Sequence, residues 1–217
     1  MSGGDPIPYF KVANKRLVSS QKSALLKVAQ YLPKMHVFDQ PHRTVGQIKA
    51  ASLAHGKPDV VLVDFLTKMS REGLPDWMRG DQQLGAICDR LRAFAKAMDC
   101  AVVVLCQLSR AYMKRENPVP QLSDLRDSGE IEQFADAVWF CHRKAFYLER
   151  KIHALQSDGE RVDRELLMEL EGCRRDFHII VAKQRMGPLG AALLNIDITT
   201  NHIWDPQLER SDYRRAA

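Results

Sequence analysis

Asp64 closes an aliphatic run, Asp59-Val60-Val61-Leu62-Val63-Asp64-Phe65, that reads as a buried strand of a parallel sheet. Ligands of open α/β sheets bind at the edge where such strands end. A carboxylate there is costly to bury unless something pairs with it, and a magnesium ion with its waters would do so. A strand-terminal Asp that caps a helix or faces solvent is the plainer alternative. Gln107 follows the next aliphatic run, Ala101 to Cys106. Adjacent strands lie about 5 Å apart, so Gln107 and Asp64 are expected to emerge side by side. An amide in that place can sense a γ-phosphate or orient an attacking water. A polar residue that merely ends a strand is the competing reading.

Two further constellations carry possible chemistry. The stretch Asp124-Leu125-Arg126-Asp127-Ser128-Gly129-Glu130-Ile131-Glu132-Gln133 joins a basic side chain to a small-residue turn and a helix start. Backbone N–H groups and an arginine suit the phosphates of a polynucleotide, which they position without reading its bases. An ordinary capping turn would look the same. Lys183-Gln184-Arg185 precedes the turn Met186-Gly187-Pro188-Leu189-Gly190. Two long cations at a rigid turn can reach a neighbouring subunit, where an arginine finger accelerates phosphoryl transfer by about 10³ to 10⁵. Two exposed basic residues are also commonplace. No G-x-x-x-x-G-K-S/T run precedes Asp64, so on the magnesium reading the chain looks like half of an ATPase site.

Alternating strands and helices must place these residues. Leu17, Ala24, Leu25, Val28 and Leu32 recur at helical spacing between Arg16 and Leu32, with Ser19 or Ser20 as N-cap and Pro33 beyond the end. A short strand from Met35 to Phe38 is expected next. Thr44-Val45-Gly46-Gln47 offers a capping box for a helix through about Ala54, and His55-Gly56-Lys57-Pro58 ends it. The polar stretch Thr67 to Pro75 reads as a loop at the strand's carboxyl end. Leu84, Ile87, Leu91, Phe94 and Met98 mark one face of a helix over Asp81 to Met98, leading into the Gln107 strand. Strand, helix, strand in this order is a right-handed crossover between parallel strands.

A polar connection from Ser109 to Ser123 precedes a short helix, Glu130 to Phe134, and a third apolar strand, Ala137 to Cys141. The charged stretch Lys144 to Cys173, broken at Ser157-Asp158-Gly159, predicts a solvated helical hairpin. It serves either as plain surface or as a partner surface. Asp176 to Lys183 and Ala191 to Ile198 form a hairpin that extends the sheet.

The 217 residues, 45% hydrophobic and 27% charged, suffice for one sizeable α/β domain. A net charge of +5 permits a polyanionic partner without demanding one. Five cysteines, with no C-x-x-C pair, read as reduced, buried small hydrophobes of a cytoplasmic protein rather than a metal site. No apolar run approaches a membrane span.

Taken in order, VVLVDF with Asp64, VVVLCQLSR with Gln107 and Arg110, SDLRDSGEIEQFAD over Ser123 to Asp136, and KQRMGPLG over Lys183 to Gly190 resemble the C-terminal RecA-like motor domain of the DnaB family of replicative helicases. The last two segments are the most specific. The resemblance runs from about Pro8 to Trp204 and implies a mostly parallel RecA-like sheet flanked by helices and ending in a β-hairpin. It implies a hexameric ring that couples ATP hydrolysis, with Mg2+, to 5′ to 3′ movement on single-stranded DNA and duplex unwinding. Partners so implied are single-stranded DNA, neighbouring helicase subunits, and a helicase loader or primase.

Residue by residue, Asp64 matches the Walker B carboxylate, holding Mg2+ through water, and Gln107 the γ-phosphate sensor. Arg126, Asp127 and Gly129 match the loop that holds the DNA backbone. Lys183 and Arg185 match the basic pair presented to ATP on the adjacent subunit. The P-loop, the strand with the catalytic Glu and the N-terminal collar of that family lie before the matched region, so the chain is expected to be a partial domain, inactive in isolation. Expected divisions are a flexible start over 1–10, the partial motor domain over 11–205 with the charged insertion at 144–173, and a polar tail over 206–217. A helicase-binding module or inhibitor without catalysis is an alternative from another class. A RecA-like recombinase lobe would share the sheet and Asp64, but the SDLRDSGEIEQFAD and KQRMGPLG segments disfavour it.

Overall fold

The structure, a computed structural model, describes residues 7–29, 35–125 and 128–207. These form two compact units. The first comprises Met1–Met35, Cys141–Ile180 and Gly190–Ala217, and the second His36–Phe140 and Val181–Leu189.

In the second unit, Thr44 caps α3 (Val45–His55) by the expected box: its Oγ1 accepts from the Gln47 N–H at 3.1 Å, and its own N–H donates to Gln47 Oε1 at 2.9 Å. Gly56, at φ 97°, ends the helix where a side chain would be strained. Strands β1 (Val60–Val63) and β2 (Ala101–Val104) pair in parallel, joined by α4 (Gly80–Met98) as the crossover pattern requires. Leu84, Ile87, Leu91, Phe94 and Met98 are all buried, the face that the spacing predicts. Each such side chain stabilises by about 1.5–3 kcal/mol, so the helix is held by packing more than by propensity. Helix α5 (Ser128–Phe134), which starts before the expected Glu130, packs on α4 at Gly85. A Cβ at Gly85 would lie 2.6 Å from Glu130 Oε2 and 3.0 Å from Glu130 Cβ, so any larger residue here must displace the Glu130 side chain.

Several expectations change here. Residues 35–38 form no strand: Val37 and Phe38 are exposed, and Phe38 instead packs against His55 and under the Arg43 guanidinium. The second strand ends at Val104 rather than Cys106, because its ladder with β1 stops there. β1 and β2 form a sheet of their own, and the remaining strands form another, in the order β3-β4-β5-β6. These are β3 (Ala137–His142), β4 (Asp176–Gln184), β5 (Gly190–Asp197) and β6 (His202–Trp204). β4 and β5 are neighbours joined by the turn at 185–189, the expected hairpin.

The first unit holds the charged stretch as two helices, α6 (Lys144–Ser157) and α7 (Arg164–Cys173). They close on Ala145, Leu148, Ile152, Leu170 and Cys173. Arg143 grips Glu149 with two bonds of 3.0 and 2.9 Å, and Lys144 reaches Glu169 at 2.6 Å. A short helix, α1 (Tyr9–Ala13), carries no periodic signal in the sequence, and α2 (Ser19–Ala29) begins at Ser19 itself, while Gln21 accepts from the Val18 N–H. Leu17 and Leu25 are half-buried and Ala24 is exposed, so the described part of the face expected to be apolar is only weakly covered. Residues 30–34, where that helix is expected to end, lie outside the described residues, as do 1–6 and 208–217.

All five cysteines are free, but only Cys173 is buried and Cys141 is exposed, so the expectation of uniformly buried thiols fails. Burial pushes the Cys88 thiol up to about 12, with Cys106 and Glu130 adding to the effect. Among the described residues no helix is long and apolar enough to cross a membrane.

Candidate functional site

The parallel register sets Val63 opposite Val104, and the hydrogen bonding crosses over just beyond the ladder. Leu105 donates to the Val63 carbonyl at 2.9 Å, and Leu66 donates to the Leu105 carbonyl at 3.0 Å. Leu66 is fully buried and anchors the turn that follows Asp64. Asp64 therefore stands at the carboxyl end of β1, and it is exposed. The expectation that its burial demands a counter-ion is corrected: an exposed carboxylate pays no such burial cost. Gln107, also exposed, lies two residues beyond the level of Leu105 on the same edge, a reach of about 7 Å for extended chain.

The chain after Gln107 is fastened to the segment before the candidate DNA loop. Leu108 and Leu125 form an isolated antiparallel bridge, and Ser109 donates to the Asp124 carbonyl at 2.8 Å. Asp124 is the most buried charged residue of this region at 3% exposure, and Arg115 compensates it with both guanidinium nitrogens, Nη1 at 3.0 Å and Nη2 closer. Its Oδ2 also accepts from the Gln121 N–H at 2.8 Å. Sequence reasoning assigns Asp124 no role; its only visible signal is the Gln121-x-x-Asp124 spacing of a capping box, which the structure contains. Arg126 and Asp127 lie outside the described residues, and Gly129 is exposed in the first turn of α5.

Lys183 and Arg185 meet the end of α5. Lys183 Nζ donates to the Glu132 carbonyl, and Arg185 donates to Asp136 Oδ1 at 2.8 Å and to the Gln133 carbonyl at 2.7 Å. The Arg185 backbone N–H also donates to the Asp136 carbonyl at 2.9 Å. Late carbonyls of a helix carry partial negative charge, which suits both cations. Arg92 of α4 approaches the same carboxylate oxygen at 3.7 Å. Neither Asp136 nor Arg92 stands out in the sequence, since a lone Asp before a strand carries no periodic signal.

Among the described residues no group of three His, Cys, Asp or Glu could hold a metal ion. Mg2+ does not need such a cage: it keeps several waters and binds through one or two carboxylates and substrate phosphates. The exposed carboxylate of Asp64 fits that mode.

The arrangement is that of an α/β domain with a carboxylate and an amide at one strand edge, and comparison with known proteins places it further. Residues 5–203 match the family model for the DnaB-like helicase C terminal domain. The replicative DNA helicase DnaB of Rickettsia typhi is 33% identical over 187 residues, covering 83% of this chain and 37% of that protein. DnaB of Helicobacter pylori is 30% identical over 195 residues, covering 81% and 40%. A solved DnaB-like replicative helicase, described with its interactions with primase, superposes with a TM-score of 0.71 at 25% identity, over 94% of this chain and 45% of that one. A second solved structure, an ATPase domain, gives a TM-score of 0.69 at 26% identity, over 94% and 66%. The chain belongs to the DnaB-like helicase C-terminal domain family and has its RecA-like fold. It spans well under half the length of the curated relatives it matches.

Proposed function

We propose that the chain is the motor portion of a replicative DNA helicase that forms a hexameric ring and couples ATP hydrolysis to 5′ to 3′ movement on single-stranded DNA. Asp64 holds Mg2+ through water, and Gln107 senses the γ-phosphate. Arg126, Asp127 and Gly129 hold the DNA backbone, and Lys183 and Arg185 face ATP bound on the adjacent subunit. Bound Mg2+ and ATP supply the electrophilic phosphoryl group; the residues of this chain orient it and stabilise charge.

The observation that carries the reading is the joint one of family and register. A parallel β1–β2 pair sets Asp64 and Gln107 on one edge, and the Leu108–Leu125 bridge ties that edge to the residue before Arg126. These 217 residues contain no G-x-x-x-x-G-K-S/T run whose backbone N–H groups could cradle phosphate. Hydrolysis therefore belongs to the whole protein, and a polypeptide of these residues alone is expected to show no Mg-ATP shift in melting temperature. A helicase loader or primase would dock on the assembled ring.

Asp64→Asn in the full-length protein tests the assignment. An isosteric amide removes the charge that orders Mg2+, so DNA-stimulated ATP hydrolysis should fall by about 100-fold or more. Hydrolysis near the wild-type rate would remove Asp64 from the site.

A further inference from the structure

An arginine beside a surface turn is normally a poor catalytic tool, since its long side chain samples many rotamers and must be ordered at each encounter. Arg185 is different. Its side chain is held at two points, Asp136 Oδ1 at 2.8 Å and the Gln133 carbonyl at 2.7 Å, and its backbone N–H is held by the Asp136 carbonyl at 2.9 Å. The next residue, Met186, is almost wholly exposed at 94%. The turn thus projects while the guanidinium behind it is fixed.

We infer that Asp136 is the positioning residue for Arg185, setting the guanidinium's orientation before a neighbouring subunit presents its nucleotide. The inference rests on the proposed role of Arg185. Three features of the geometry support it. The contact is charge-assisted and short, the kind that fixes direction as well as distance. Two of the Arg185 anchors are main-chain carbonyls at the α5–β3 junction, which side-chain motion cannot remove. Arg92, 3.7 Å from the same Oδ1, adds a second positive charge on the α4 side of the carboxylate. Asp136 itself is largely exposed, so its carboxylate is not needed to complete a core.

A guanidinium displaced by about 1 Å can lose about 100-fold in rate. Asp136→Ala in the full-length protein should therefore lower kcat for DNA-stimulated ATP hydrolysis by about 10- to 100-fold while KM for ATP changes little. Asp136→Glu, which keeps the charge, should recover a large part of the loss, and Asp136→Asn, which keeps the shape, should fall between. Arg185→Ala with Asp136→Ala together should be no worse than Arg185→Ala alone, because the two act as a unit. The outcomes separate the two ideas. If Arg185→Ala leaves hydrolysis intact, the finger assignment fails. If Arg185→Ala abolishes hydrolysis while Asp136→Ala leaves kcat unchanged, raises it, or adds its loss to that of Arg185→Ala, positioning by Asp136 is overturned.

Discussion

Leu108 and Leu125 pair across an isolated antiparallel bridge, which with the Ser109 N–H to Asp124 carbonyl bond joins the chain just after Gln107 to the residue before Arg126. The buried Asp124–Arg115 pair stands directly beside it and fixes the residue before Leu125. Removing one partner of a buried pair costs about 3–5 kcal/mol, and the partial exposure of Arg115 puts the expected loss near ~3 kcal/mol for Asp124→Ala. A denaturant midpoint within experimental error of wild type would show that the pair does not hold this segment.

Gly85 carries a second prediction. Alanine in a helix interior ordinarily gains about 1 kcal/mol over glycine. Here the added Cβ meets Glu130, whose carboxylate can swing away but whose Cβ, 3.0 Å off, cannot. Overpacking of this sort costs about 1–3 kcal/mol, so Gly85→Ala should be neutral or destabilised by about 1–2 kcal/mol. Stabilisation by the full helix-propensity gain would mean that α5 sits farther from α4.

Arg126→Ala tests the DNA loop. If Arg126 neutralises one phosphate, the variant should bind single-stranded DNA more weakly for every sequence, and the slope of log affinity against log salt should shrink by about 0.7. An unchanged slope would take Arg126 out of the interface.

Much of this was legible in the sequence because it rests on periodicity. The α4 face, the Thr44 capping box and the two aliphatic strands each repeat a local rule, and each is present, but the strand before Asp64 is not buried as its apolar run predicts: Val60 and Leu62 are exposed. What escaped depends on tertiary contact. Asp124 and Arg115 are nine positions apart and Arg185 and Asp136 forty-nine, separations at which no local pattern speaks. The strand expected at 35–38 failed for the converse reason: its residues have β-type character, but no strand among the described residues pairs with them.

His142 makes stability depend on pH. Its ring is buried, stacked on Tyr147 at 5.5 Å, and faces His178 and Lys144. Burial first, then the charges of His178 and Lys144, hold its pKa below the ordinary 6.5. The unfolded chain therefore binds the proton more readily, and the stability it contributes is present above about pH 6.5 and lost as pH falls toward the folded value. His142→Gln should flatten the melting-temperature profile in that window, read by calorimetry between about pH 5 and 7. An identical slope in the variant would place the pH dependence elsewhere.

The central claim, that Asp64 of one subunit and Arg185 of the next complete a shared site, is tested most directly by mixing two full-length variants. Asp64→Asn and Arg185→Ala should each hydrolyse ATP poorly alone. In mixed rings, an Arg185→Ala subunit retains Asp64 and its Asp64→Asn neighbour retains Arg185, so intact interfaces reappear. The account predicts DNA-stimulated hydrolysis clearly above that of either variant by itself. Activity that stays at the level of the separate variants, in rings shown to contain both, would contradict it.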